Sequence, residues 1–321
     1  MFRKHTRRAA KAAFAISFGV ALLIGLTACG GGGGGGGSSN DTTTSGAGPK
    51  PTIILGTKNF GEEYILGQLY GQALQAKGFK VEYKGSFGSS ELADTAIKSG
   101  KMNFYPEYTG VIALDLAKTT PAPKSATATY QAAKTYETGR GLTMLDPTPF
   151  ADTDTFTVLT STAHKDGLKT MSDLSKLKSF SYAGYPECQT RITCILGMKQ
   201  IYGLKNIKFI PIGNISVYTL LDQGKATGGD GFSTDPQQLQ KNKYTALVDN
   251  KHIFGFQQVA PVLKASLLNG ANGSLLASTC NSVSAKLTLG AMQAMNKAYV
   301  VDKATPKQIA AGFLKANGLA G

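Results

Sequence analysis

Histidine is nearly absent from this 321-residue chain: His5, His164 and His252 are the only three, and none lies near a cysteine. A zinc centre built from the usual Cys and His donors is therefore not expected. No G-x-S-x-G, H-E-x-x-H, P-loop or dinucleotide-binding glycine fingerprint occurs, despite 39 glycines. Together these absences argue against an enzyme and leave no cofactor and no metal to expect. The lysines are scattered with no run of four, and no nucleic-acid-binding motif is present. The basic surface then reads as solvated, without a nucleic-acid partner. Only one long apolar stretch occurs, close to the start, and nothing after it is long enough to span a bilayer.

That single stretch has a specific layout. Arg3, Lys4, Arg7, Arg8 and Lys11 precede an apolar run from Ala12 to Leu26, which closes on Leu26-Thr27-Ala28-Cys29. A basic start, a short apolar middle and small residues before the cut describe a secretory signal peptide. Ending the small residues on a cysteine resembles the bacterial lipoprotein signal, which implies cleavage after residue 28 and lipidation of Cys29. Two or three acyl chains would anchor the protein stably on the extracytoplasmic side of the cell membrane. Residues 30–48 hold only Gly, Ser, Thr, Asn, Asp and Ala, too little apolar surface to repay ordering. They read as a flexible tether with ends on the order of 25 Å apart.

Cleavage leaves 293 residues, with 29 of the 34 Lys and Arg against 20 Asp and Glu. The foldable part suffices for two lobes of ordinary size. Outside the cytoplasm disulfides persist. Cys188 and Cys194 enclose five residues and are expected to bridge, leaving Cys280 free and buried.

Hydrophobic periodicity gives a strand at 51–56, a helix at 62–77, a strand at 80–83, a helix at 91–99 and a strand at 103–105 that stops before Pro106. This rhythm belongs to a parallel α/β sheet. A helix at 125–140 follows. A second series starts near Phe156, with strands at 156–160, 179–183, 207–210, 245–249 and 258–264, and helices at 195–202 and 216–223. Residues 164–169 read as a loop, and 284–300 and 305–316 as helices. The expected fold is α/β and two-lobed, each lobe a mainly parallel sheet flanked by helices, with a ligand cleft between them. Lobe I takes 51–155, lobe II takes 156–256, and 257–321 return to lobe I.

Aromatic residues concentrate in the loops. Lys58-Asn59-Phe60-Gly61-Glu62-Glu63-Tyr64 follows the first strand and Tyr105-Pro106-Glu107-Tyr108-Thr109-Gly110 the third. Asp152-Thr153-Asp154-Thr155-Phe156 opens the second series, and Gly231-Phe232-Ser233-Thr234-Asp235 ends a strand within it. Loops at the carboxyl ends of strands in open α/β sheets are where ligands bind. These segments, with Ile97-Lys98-Ser99-Gly100, Leu221-Asp222-Gln223-Gly224 and Ala260-Pro261-Val262, resemble the substrate-binding proteins of ABC importers for quaternary-amine osmoprotectants: glycine betaine, choline and carnitine. The resemblance covers about Ile53 to Val262. It implies a monomeric binding protein of the type II periplasmic class that hands its ligand to permease and ATPase subunits.

A quaternary ammonium has no N–H to donate, so aromatic faces and nearby negative charge must hold it. The resemblance places Tyr108, Phe156, Phe232 and the Phe256-Gln257 position in the aromatic cage. Asp154 supports the cation, and Lys58 and Arg191 hold a betaine carboxylate, so glycine betaine is favoured. Glu63 and Glu91 fall near polar ligand contacts, and Tyr218 stands behind the site. Tyr185 either lines the cleft or covers the disulfide. Phenylalanine replaces tyrosine at 156 and 232, and this departure keeps open an amino acid or other small polar solute as ligand. A wall-interacting structural lipoprotein is the reading from another class.

Overall fold

The computed structural model describes residues 48–213 and 215–320. The signal peptide, Cys29 and nearly all of the tether lie outside them. Among the described residues, five strands come first: β1 (Ile53–Thr57), β2 (Val81–Ser86), β3 (Phe104–Tyr108), β4 (Leu142–Met144) and β5 (Asp154–Leu159). Five more follow: β6 (Phe180–Gly184), β7 (Ile207–Pro211), β8 (Gly228–Phe232), β9 (Tyr244–Leu247) and β10 (Val259–Lys264). They form two five-stranded sheets, ordered β2-β1-β3-β10-β4 and β7-β6-β8-β5-β9.

Both sheets are mixed, and in the same way. The first three strands of each order run parallel, and the fourth is antiparallel to both its neighbours. That fourth strand is the one that has just crossed over: β5 enters the second sheet after leaving the first, and β10 makes the return. The two crossing segments lie side by side, Ala151 bridging antiparallel to Gln258 and the Asp152 N–H donating to the Gln257 carbonyl at 2.9 Å. Two adjacent crossings between two sheets are the layout of a hinge.

Helices α1 (Gly61–Ala76), α2 (Ser90–Lys98) and α3 (Ala126–Thr138) pack on the first lobe. The second carries α4 (Thr160–Asp166), α5 (Ile195–Gln200) and α6 (Val217–Asp222), and α7 (Gly273–Lys286), α8 (Leu289–Val300) and α9 (Pro306–Ala316) return to the first. In α1, Ile65, Leu66, Leu69, Tyr70, Ala73 and Leu74 are almost fully buried, an inward stripe at helical spacing. Glu62 and Glu63 occupy its first turn, the positive end of the helix dipole. Gly78 then takes φ +78° just past its end, a left-handed position that glycine adopts without strain.

Three expectations change. Strand β3 does not stop at Pro106 but runs through it, because Pro106 lies opposite Pro261 of β10, a rung on which neither residue has an N–H to offer. Residues 164–166, expected in a loop, belong to α4, which ends at Gly167 with φ +62°. The helix expected over 284–300 is two: Leu287 is wholly buried, and Thr288 accepts from the Ala291 N–H to start α8 afresh.

Candidate ligand-binding cleft

Loops at the carboxyl ends of β1, β3, β6 and β8, with the start of β5, surround a cavity of about 60 Å³ between the lobes. A single water needs roughly 10–15 Å³ on this measure, so the space equals about four to six waters, the size of a small solute. Four rings line it: Phe60 and Tyr108 from the first lobe, Tyr185 and Phe232 from the second. Phe60 lies between Tyr108 and Phe232, with centroids 6.2 Å and 6.0 Å away and planes inclined by 19° and 4°. The aromatic wall therefore crosses from lobe to lobe.

Two of the rings, Tyr108 and Phe232, are held by polar contacts behind them. The Tyr108 hydroxyl donates to Glu62 Oε1 at 2.8 Å, and Asn296 donates to the other Glu62 oxygen at 2.7 Å. The Phe232 N–H donates to Asp235 Oδ2 at 2.8 Å. The same oxygen accepts from the Tyr218 hydroxyl, also at 2.8 Å. Tyr218 thus holds the Phe232 turn from behind and does not reach the cavity.

Both cations at the site are already engaged. The Lys58 ammonium is buried between Glu107, which it contacts directly, and Glu63 at 3.7 Å. It stands 4.0 Å from the centre of the Tyr108 ring and 5.5 Å from that of Phe60. Arg191 donates from Nε and Nη2 to the two carboxylate oxygens of Glu91 at 3.0 Å and 3.1 Å. Burial opposes ionisation of Glu91, but these guanidinium bonds outweigh it and hold its pKa down at about 2. Burial pushes Glu63 up to about 8 against the pull of Lys58.

The acidic lining differs from residue to residue. Asp152 accepts from the Thr234 hydroxyl at 2.7 Å, and Asp230 from the Tyr182 hydroxyl at 2.8 Å. Burial raises both well above the ordinary carboxylate range. Asp154 lines the same cavity, yet among the described residues no other side chain hydrogen-bonds its carboxyl group. Desolvation pushes it up to about 6, Arg191 pulling down and Asp115 pushing up.

Of the residues expected at the site, Lys58, Tyr108, Asp154, Arg191, Phe232 and Gln257 line the cavity. Gln257 does so with its amide committed: Oε1 accepts from the Val111 N–H at 3.1 Å and Nε2 donates to the Phe254 carbonyl at 3.0 Å. Glu63, Glu91, Phe156 and Tyr218 do not line it. Glu63 is buried in the first turn of α1, accepting from the Lys58 N–H at 3.1 Å. Phe156 is a core residue of the second lobe, 4.7 Å from Tyr182 and 5.8 Å from Phe180 between ring centres. It follows Asp154 by two strand residues, roughly 7 Å further along, which carries it from the cleft into the sheet core. Phe60, Tyr185, Asp152 and Asp230 are also part of the wall. Phe60 is the contributor that sequence reasoning passes over, because its partner Phe232 comes from the other lobe. Cys188 and Cys194 form a disulfide at the edge of the cavity, with Cα atoms 5.3 Å apart, and Cys280 is free and buried.

Residues 51–316 match the family described as the substrate-binding domain of ABC-type glycine betaine transport systems. The chain belongs to this family. It is 28% identical over 289 residues to a glycine-betaine-binding protein of Pseudomonas aeruginosa, covering 86% of this chain and 91% of that one. The glycine betaine-binding protein YehZ of Escherichia coli is 27% identical over 278 residues, covering 82% and 90%. A crystal structure of a glycine betaine/carnitine/choline ABC transporter protein superposes with a TM-score of 0.67 at 23% identity, over 84% of this chain and all of that one. This is a family of solute-binding components of ABC importers, extracytoplasmic proteins that capture and do not catalyse. Such components work with permease and ATPase subunits. Among the described residues no helix is long and apolar enough to cross a membrane.

Proposed function

We propose that this protein captures a quaternary-amine osmoprotectant in the cleft and delivers it to its permease. The observation that carries the reading is the pairing of a ring wall from both lobes with a carboxylate, Asp154, that no other side chain hydrogen-bonds. Aromatic faces attract a cation by about 0.5–2 kcal/mol each, and a free carboxylate in a desolvated pocket adds the charge such a head group needs. The wall reaches across the cleft, so a ligand seated on it would favour closure.

Glycine betaine is the first candidate, in keeping with the family. Choline is the second, and a specific observation favours it. Lys58 and Arg191, the groups that would hold a betaine carboxylate, are both neutralised by first-lobe glutamates. Calorimetry on the folded part from Pro51, with glycine betaine, choline, carnitine and proline betaine, tests the reading. Saturable binding of at least one is expected, and the ratio of the betaine and choline affinities decides between them. Failure of all four to bind would overturn the quaternary-amine reading.

The basic leader, the lipid-type cleavage pattern ending at Cys29 and the glycine tether support anchoring on the outer face of the cell membrane. A tethered receptor is held at high effective concentration near its permease, which suits delivery.

A further inference from the structure

The loop after β6, residues 185–194, carries two contacts that the capture of a ligand does not explain. It belongs to the second lobe, yet Arg191 grips Glu91 at the start of α2 in the first. Two residues on, the Thr193 hydroxyl donates to Asp115 Oδ2 at 2.6 Å, inside the π-helical turn Val111–Leu116 of the first lobe. Both contacts leave one short loop, and the Cys188–Cys194 disulfide closes that loop around Arg191. Its backbone is tied as well: the Cys194 and Leu196 N–H groups both donate to the Arg191 carbonyl, at 3.2 Å and 3.1 Å. From beneath it is supported so closely that a Cβ on Gly197 of α5 would lie 2.1 Å from the Ile192 carbonyl oxygen.

We propose that the disulfide-closed loop is a clasp: Arg191 and Thr193 lock the two lobes together through Glu91 and Asp115, and act as positioning residues that set how long any ligand is retained. The stapled loop presents the guanidinium fork already oriented, so less entropy is lost when it meets the carboxylate. Neither end of the clasp is fully buried, since the Arg191 side chain is 17% exposed and that of Glu91 42%. A pair in this position can release without stranding a wholly buried charge, as cycles of opening and closing require.

The proposal separates cleanly from a role for Arg191 as a grip on a ligand carboxylate. A clasp changes the population of the closed state, and apparent affinity scales with that population whatever the ligand. A carboxylate grip affects glycine betaine and spares choline. The choice of probes rests on the quaternary-amine reading, and the test of closure by scattering does not.

The experiment compares wild type, E91Q, T193V and the double variant C188S/C194S. Dissociation of glycine betaine and choline is followed by stopped flow, and the radius of gyration of the ligand-free proteins is measured by X-ray scattering. The expected result for E91Q is dissociation faster by about tenfold for every ligand that binds, with an expanded ligand-free form. T193V and the double variant should change in the same direction by smaller factors. A change confined to glycine betaine, such as tighter binding once E91Q frees Arg191 from Glu91, would make Arg191 a ligand grip and overturn the clasp, as would unchanged rates. If neither ligand binds the wild type, the reading of the cleft fails instead. The scattering then decides alone, and equal radii for wild type and E91Q overturn the clasp.

Discussion

At the scale of single residues, Asp154 concentrates the electrostatics of the cleft. Its carboxyl titrates near 6 because burial disfavours the anion, with Arg191 and Lys58 favouring it and Asp115 opposing it. The folded value lies above the ordinary 3.8, so with the cleft empty this group favours folding in its protonated form, and that contribution is lost as pH rises through 6. A cation in the cleft reverses the preference, since it needs the anion. Affinity for choline should therefore fall as pH drops below about 6, by up to about tenfold per unit. Calorimetry between pH 5 and 8 checks this, and D154N should make the fall below pH 6 shallower while binding more weakly throughout. Glu91 titrates at about 2, so the loop contact that it makes is not the source of any change in that range. The rings supply a second prediction. Replacing Phe60 or Phe232 by alanine removes one face of the wall and should weaken binding by about threefold to thirtyfold, whereas Phe156, buried in the lobe core, should act on stability instead.

At the scale of elements, the packing of β5 on β8 is set by a glycine. A Cβ at Gly228 would lie 2.1 Å from the Phe156 ring, which itself packs on Tyr182 and Phe180 with no space to retreat. Gly228→Ala should cost about 1–3 kcal/mol by overpacking and lower the melting temperature by several degrees, measured by scanning calorimetry. The sequence makes β1 and α1 legible because an apolar run and a helical stripe are local patterns. Helix α7 escapes the same reading. Its residues 278–284 are rich in serine and threonine, which usually signal turns, but here Thr279 and Ser282 return their hydroxyls to the carbonyls of Leu275 and Ser278. Its buried stripe, Leu276, Cys280 and Val283, packs against the first-lobe core. Only that packing outweighs the local preference.

At the scale of the whole molecule, two lobes share the cleft and two crossing segments join them, so ligand capture and lobe closure are one equilibrium. The proposed leader and tether would add a second constraint, on location. Changing Cys29 to serine should move the protein from the membrane fraction to the soluble fraction, with ligand affinity of the folded part unchanged; fractionation and calorimetry together check both halves.

The sequence by itself determined the alternation of strands and helices, the loops that carry the aromatic residues, and the cysteine pair close enough to bridge. Each depends on neighbours within a few positions, where backbone geometry and periodicity leave few choices. The tertiary structure decided the partners. Phe60 faces Phe232 across the cleft, and Arg191 spends its charge on Glu91, 100 residues away. Charge and ring geometry act through space, and no spacing along the chain reveals which carboxylate a guanidinium will reach once two separately formed sheets have been brought together.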